Sequence, residues 1–499
     1  MQLKNCDTVT CEKQNIQSKD LILRAANSFV DIFTSSEYDQ GAKTLIFCGP
    51  GNNGADGIAI AKLLYSRYYE VELVLIVEKD TSKCNESFQF YLDNPVDQQP
   101  FPVHIIRNIK QLEELEDVSI IIDAIFGTGN TRPLTGLYKS VVEWINHCPT
   151  TVISVDIPSG IQADIGDNYI AVDADMTISF QLPKLSFFHP DCAKKIGKWL
   201  ITDIDCDKDF IENEKVNDFW IEKKLVTSLL IPRDRFAHKG NFGHSYIISG
   251  SYGKIGATIL CSKAALRIGS GLVTIHAPSS AYEILQMSVP EAMVDADPHK
   301  YYISEVSFPA RCNAIAIGPG IGTQNHTQRM MDELFCKNPT IPMVIDADGL
   351  NLMSMYPEIL SKVPKNAIIT PHVKEFERLF GSSSDHNEMV SLQREKSKKL
   401  GIYIVLKGGY TTLSCPDGEI YFNTNGNPGM ATGGSGDVLT GIIVGLLAQG
   451  YAPKVASILG IYIHGMAGDI AILNGQSYES LLASDIIDNL GNVFNKLRT

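Results

Sequence analysis

The chain has 499 residues, roughly three times a common domain length, so two or three domains are expected. Hydrophobic residues make up 44% and charged residues 20%, a globular balance that excludes a disordered, fibrous or coiled-coil protein. The formal charge of −14 argues against unspecific binding to nucleic acid or to anionic membrane, while helix N-termini and loop amides can still supply a local anion site. The eleven cysteines are scattered and contain no CxxC, which fits reduced thiols in a cytoplasmic compartment better than a zinc ribbon or a disulfide framework. The opening MQLKNCDTVTCEKQ has no apolar signal core. The longest apolar run, Val438 to Ala448, covers only about half of the roughly 20 residues a membrane helix needs, so a soluble protein is expected.

Asp20 to Ser35 reads as an amphipathic helix with Leu21, Ile22, Ala25, Phe29 and Phe33 on one face. Short apolar segments then alternate with helical stretches: Thr44–Cys48, Val71–Val77, Ile120–Ile125, Val152–Asp156 and Met176–Phe180 read as buried parallel strands. Residues 205–224 are charged and carry no motif, and they are the expected linker. The pattern restarts with Ser245–Ser249, Leu272–His276, Ala314–Ile317, Met343–Asp346, Ala367–Thr370 and Tyr403–Leu406. Thr412 to Phe422 has Pro416-Asp417-Gly418 at its centre, a hairpin signature. The halves share no repeat, so two different α/β domains are expected.

Several of these strands end in Gly, Asp or Ser, where open α/β sheets bind ligands. Gly49-Pro-Gly51-Asn-Asn-Gly54 satisfies GxGxxG between a strand and a helix, and Glu78 could serve as the acidic partner of a dinucleotide fold. A plain tight turn would explain the glycines equally well. Asn52, Asn53 and Asp56, however, add polar groups that a pyrophosphate loop does not need. Asp123 ends a strand and is followed by FGTGNTRPLTG, and Asp156 and Ser159 close another in DIPSG. Amide, carboxylate and hydroxyl oxygens gathered at strand ends suit a hard cation, here a monovalent one.

In the second half, Lys407-Gly408-Gly409-Tyr410-Thr411 ends a strand. Gly433-Gly434-Ser435-Gly436-Asp437 opens an apolar helix whose free amides can stabilise an anion. A carboxylate in that first turn is placed to take a proton from a hydroxyl that attacks phosphate. Taken singly, Asp437 reads as an ordinary helix-start acid and His372 in TPHVKEFERL as a surface or capping histidine.

Together these residues carry two resemblances. PGNNGADG, AIFGTGNTRPLTG and VDIPSG resemble the motifs of the NAD(P)H-hydrate epimerase family, also called the YjeF N-terminal domain, over roughly residues 1–210. GSYGKIGATIL, PEAM, IGPGIG, IDADGLN, TPHVKEFERL, LKGGYTTL and GGSGDVLTG resemble, in order, the NAD(P)H-hydrate dehydratases of the ribokinase-like superfamily, over residues 225–499. The fold implied is α/β in two domains, an N-terminal Rossmann-like three-layer sandwich and a C-terminal ribokinase-like one.

The first resemblance implies that Asn52, Asn53, Gly54, Ala55, Asp56, Gly127, Thr128, Gly129, Asn130, Thr131, Arg132, Pro133 and Tyr138 hold hydrated NADH or NADPH. It further implies that Asn53, Asp123 and Ser159 bind potassium and that Asp156 acts near the reacting carbon. The second implies that Ala257, Gly320, His372 and Asp437 contact the hydrate, and that Lys407, Gly408, Gly409, Tyr410, Thr411 and Gly436 cradle ADP, with magnesium accompanying it. Asn130 and the pair Lys254-Ile255 depart from the usual family residues. The resulting expectation is a bifunctional repair enzyme with Asp156 and Asp437 as its catalytic carboxylates, cytoplasmic and homo-oligomeric, without nucleic-acid or membrane partners. A small-molecule kinase, an NAD-dependent dehydrogenase and a non-catalytic scaffold remain as alternatives.

Overall fold

The computed structural model describes residues 2–36, 38–78, 84–94, 99–115, 117–165, 170–307, 312–337 and 340–498. The chain divides into two compact units, Met1–Lys215 and Val216–Thr499. The first is built on seven parallel strands: β1 (Thr44–Cys48), β2 (Val71–Ile76), β3 (Val103–Ile106), β4 (Ile120–Ala124), β5 (Thr151–Val155), β6 (Met176–Phe180) and β7 (Lys198–Thr202). Their spatial order is β3-β2-β1-β4-β5-β6-β7. Alternate residues go to opposite faces of a strand. Ile46 and Cys48 accordingly pack with Phe29 and Ile58 in one buried cluster, and Leu45 and Phe47 with Val141 and Ile145 in another. Helices therefore cover both faces, giving three layers.

The second unit has a ten-stranded sheet: β8 (Asp218–Trp220), β9 (His244–Ile248), β10 (Leu272–Pro278), β11 (Met293–Asp297), β12 (Ala314–Ile317), β13 (Met343–Ile345), β14 (Ile368–Ile369), β15 (Tyr403–Leu406), β16 (Thr411–Ser414) and β17 (Ile420–Asn423). Its order is β11-β10-β9-β12-β13-β14-β15-β16-β17-β8. The β15–β16 and β16–β17 pairs are antiparallel, so Pro416-Asp417-Gly418 turns the hairpin that its composition indicates. Ile247, Ala316 and Val405 face one apolar layer and Ile248, Ile317 and Leu406 the other.

Two expectations need correction, and one element had no expectation. Residues 205–224 are not a plain linker, because they contain a helix, Lys208–Asn213, and the edge strand β8, which pairs in parallel with β17. The N-terminal stretch forms a helix, Gln2–Gln14, whose few apolar residues are too scattered to mark a buried face; only Cys6 and Thr10 are buried. The most membrane-like segment is not Val438–Ala448 but Pro453–Leu473, a 21-residue apolar helix that is mostly buried inside the second unit.

Candidate functional sites

Each sheet reverses its winding once, between β1 and β4 in the first and between β9 and β12 in the second. At such points the loops leaving adjacent strands diverge and open a crevice. In the first unit, the helix Asn52–Ser66 begins directly after β1 with Gly51 as its N-cap. A side chain at Gly54 would overlap the Gly49 carbonyl oxygen, so glycine is required for the helix to start this close to the strand. Asn52 is exposed and accepts from Asn85 at 3.0 Å, whereas Asn53, Gly54 and Ala55 are buried.

The loop after β4 comes back over this turn, with Gly127 lying against the Asn53 side chain. Asn130 closes a turn onto the Gly127 carbonyl, Thr131, Arg132 and Pro133 are exposed, and the Tyr138 ring meets Phe126 edge-on at 4.7 Å. Thr128 is half-buried and Gly129 open, without a neighbour close to its missing side chain.

Asp123 is fully buried at the end of β4 and accepts four hydrogen bonds. These come from Ser159 Oγ at 2.5 Å, the Ser159 amide at 2.8 Å, Ser154 Oγ at 2.9 Å and the Ile125 amide at 3.2 Å. Burial raises its pKa, and these donors, led by the Ser159 hydroxyl, oppose the rise. The Phe126 amide donates to Ser159 Oγ at 2.8 Å, so the chain Asn53–Gly127–Phe126–Ser159–Asp123 is continuous. Within it the Asn53 amide nitrogen is buried without a hydrogen-bond partner among the described residues. A half-turn of that amide presents an oxygen instead, so the donor set suits a hard monovalent cation.

Asp156 follows β5 with φ +66°, a conformation that aspartate adopts more readily than most residues. Its Oδ1 accepts from Lys184 Nζ at 2.6 Å and from Ser179 Oγ and the Phe180 amide, both at 3.1 Å. Lys184 escaped the sequence reading, since nothing in QLPKLSFF marks it. Asp56 is raised well above the ordinary carboxylate range, chiefly by burial, then by the charges of Asp156 and Asp7. Asp7, on the N-terminal helix, keeps solvent contact but is pushed up to about 6, first by partial desolvation and then by Asp156, with Lys184 opposing. Glu78, the candidate acidic partner of a dinucleotide fold, is engaged within the protein. Its carboxylate accepts the Leu137 amide at 3.1 Å, at the start of the helix Gly136–His147, where an anion is stabilised by the helix dipole.

The second crevice is lined by the ends of β9, β12, β13, β14 and β15. Gly320 lies against Lys254 and Ala257, and the Ser251 hydroxyl donates to its carbonyl at 2.7 Å. Lys254, where the family motif departs, pairs with Asp348 at 2.9 Å and so ties two of the lining loops together. His372 caps the helix Val373–Phe380, its Nδ1 accepting the Glu375 amide at 3.3 Å, so the capping role is realised. Its backbone also bridges to Lys407. Gly408 and Gly409 are exposed, with Tyr410 and Thr411 half-buried beside them.

Gly434, at φ +92°, is the N-cap of the helix Ser435–Ala448, and a side chain there would overlap Leu260. Gly436 lies beside Lys407 Nζ and Asp346 Oδ2. Asp346 is buried and joins this group by accepting from Lys407 Nζ at 2.9 Å and from Thr440 Oγ1 at 2.8 Å. Asp437, in the first turn of the helix, is pushed up to about 7 by burial and by Asp346, against the attraction of Lys407, with Asp348 adding to the rise. His464, which the sequence did not single out, is held neutral by burial, its pKa lowered to about 4 beside the Ser435 carbonyl. Among the described residues, no group of three or more His, Cys, Asp or Glu side chains could hold a metal ion.

Comparison with known proteins agrees with this division. Residues 18–186 match the family described as YjeF-related protein N-terminus, and residues 245–491 match that described as NAD(P)H-hydrate dehydratase. A bifunctional NAD(P)H-hydrate repair enzyme of Thermofilum pendens is 33% identical over 94% of this chain and 91% of its own length. The corresponding Escherichia coli protein is 30% identical over 95% and 89%. A crystal structure of a ribokinase-like superfamily protein from Enterococcus faecalis is similar with a TM-score of 0.50 and 29% identity, covering 57% of this chain and 99% of that one. The chain belongs to the family of bifunctional NAD(P)H-hydrate repair enzymes.

Proposed function

We propose that the first unit interconverts the two C6 epimers of hydrated NADH or NADPH and that the second dehydrates the S epimer with ADP. The observation that carries this reading is Asp437: a carboxylate near pKa 7, in the first turn of a glycine-opened helix, beside Lys407. Hydroxide is a poor leaving group and a phosphate ester a good one. Asp437 takes the proton of the C6 hydroxyl as its oxygen attacks the terminal phosphorus of ADP, and AMP departs with the electrons of the broken P–O bond. The ring nitrogen then expels phosphate from C6 with its lone pair, and loss of the C5 proton restores the reduced nicotinamide. The amides of Gly433 to Gly436 would stabilise the transferring phosphoryl group, and Lys407 to Thr411 would hold the nucleotide.

In the first unit, protonation of the C6 hydroxyl releases water, the ring nitrogen forms a C6 iminium, and water returns on the opposite face. Asp156 stabilises that cation or handles the proton. Asn53, Asp123 and Ser159 would hold potassium, which when bound supplies fixed positive charge beside the substrate loop. The loops at 52–56 and 127–133 would hold the nucleotide, with Tyr138 at their edge. Ala257, Gly320 and His372 do so in the second unit.

The test is direct. A mixture of hydrate epimers is supplied with ADP, and absorbance of the reduced nicotinamide is followed. Complete conversion of both epimers, with AMP and phosphate released in equal amounts, supports the reading. Conversion that stops at one epimer removes the epimerase assignment, and phosphorylated product without reduced nicotinamide favours a small-molecule kinase.

A further inference from the structure

Lys184 is the one buried cation among the described groups around Asp156. Its side chain is 1% exposed, and all three ammonium protons are used: on Asp156 Oδ1 at 2.6 Å and on the carbonyls of Phe180 and Leu182, each at 3.1 Å. Burying an ammonium is costly, and an apolar side chain would fill the same space without that cost. The ordinary reading of such a lysine is a tie between the β6 turn and β5.

The distribution of contacts on Asp156 argues for more. Lys184, Ser179 Oγ and the Phe180 amide all converge on Oδ1, while no hydrogen bond among the described residues reaches Oδ2. Three donors on one oxygen orient the carboxylate, and with φ at +66° they leave the second oxygen free. Asp56 and Asp7 are the neighbouring acids, both raised first by desolvation and then by the charge of Asp156. A single ammonium thus pins one of three nearby carboxyls.

We propose that Lys184 is the positioning residue of the epimerisation site, pinning Asp156 Oδ1 so that Oδ2 faces the C6 carbon at which positive charge develops. The inference rests on the epimerase reading given above. It is tested with Lys184→Ala, Lys184→Met and Lys184→Arg in the full-length chain, with kcat and KM for interconversion measured separately. The Ala and Met variants should lose about 100-fold in kcat with KM changed less than about threefold, because a misplaced group costs the chemical step rather than binding. Ethylammonium should restore Lys184→Ala saturably, and tetramethylammonium, which has no N–H, should not. Lys184→Arg should retain more kcat than Met.

Retention of kcat in Lys184→Met overturns the proposal, as does a loss that neither ethylammonium nor Arg relieves. Failure of all three variants to fold assigns Lys184 to stability alone and overturns it too. The underlying reading fails separately, if the wild type does not interconvert the epimers or Asp156→Asn still does.

Discussion

Replacing Asp437 by Asn should remove activity and add stability, and both effects depend on pH. Asp437 stands at about 7 against an ordinary value of 3.8, raised by burial and by Asp346. That rise of roughly three units corresponds to about 4 kcal/mol for holding the carboxylate ionised in the folded state. The folded protein keeps a proton that the unfolded chain releases above about pH 4, so the contribution to stability is full at low pH and is lost as pH rises through about 7. Above that point the wild type carries the whole cost and an Asn variant carries none. The opposing attraction of Lys407 is already contained in that value, so the net gain approaches about 4 kcal/mol at pH 8, or roughly 7 °C in melting temperature for a unit of this size.

Near pH 4 the two proteins should melt within a degree or so of one another. Dehydration by the wild type should climb with pH to a plateau above about 7, and Asp437→Asn should fall about 10²- to 10⁴-fold below it. Scanning fluorimetry at the two pH values and a pH–rate profile give both readouts. An Asn variant no more stable at pH 8 than the wild type, or a wild-type rate flat from pH 5.5 to 8.5, would refute a strained, titrating Asp437. Loss of ADP binding in the variant would mark it as a nucleotide or magnesium contact instead of a base.

Asp156→Asn should stop interconversion while the S epimer is still dehydrated at the wild-type rate; loss of both activities in a folded variant would show the site to be misassigned. Asp123→Ala should weaken epimerisation and its response to potassium, and a wild type equally active in potassium-free buffer counts against the ion. It should also destabilise the first unit, because four donors lose their acceptor. Glu78→Gln should cost about 0.5 to 1 kcal/mol of stability through the weakened helix start and leave epimerisation unchanged; a large rise in KM for the hydrate would return Glu78 to ribose binding. Gly54→Ala should unfold the first unit or disorder its loop, seen as loss of epimerisation with dehydration intact, since the added methyl meets the Gly49 carbonyl.

The amino-acid sequence by itself carried the α/β class, most of the central strands and the glycine loops. These signals are local: a buried parallel strand is a run of apolar residues, and a glycine turn is set by backbone sterics over a few positions. β3, β7, β8 and β11 were not legible in it. All four are edge strands, partly exposed and short, whose pairing rather than composition makes them strands. β8 lies in a stretch that reads as linker and becomes a strand only because β17 offers it an edge.

The same divide runs through the sites. Asn53, Asp123, Asp156 and Asp437 stand in recognisable motifs. Which partner each one meets is not legible there, even where the partner stands in a motif of its own, because the pairs form through folding: Lys184 reaches Asp156 across 28 positions, and Asp346 reaches Lys407 and Thr440 across 61 and 94. Glu78, an apt dinucleotide acid by spacing, is turned by the loop after β4 into a helix cap. Charge and hydrogen bonding act through space, so the sequence determined which groups are available, and tertiary structure alone decided which carboxylate is pinned, which keeps its proton and which serves only to hold a helix in place.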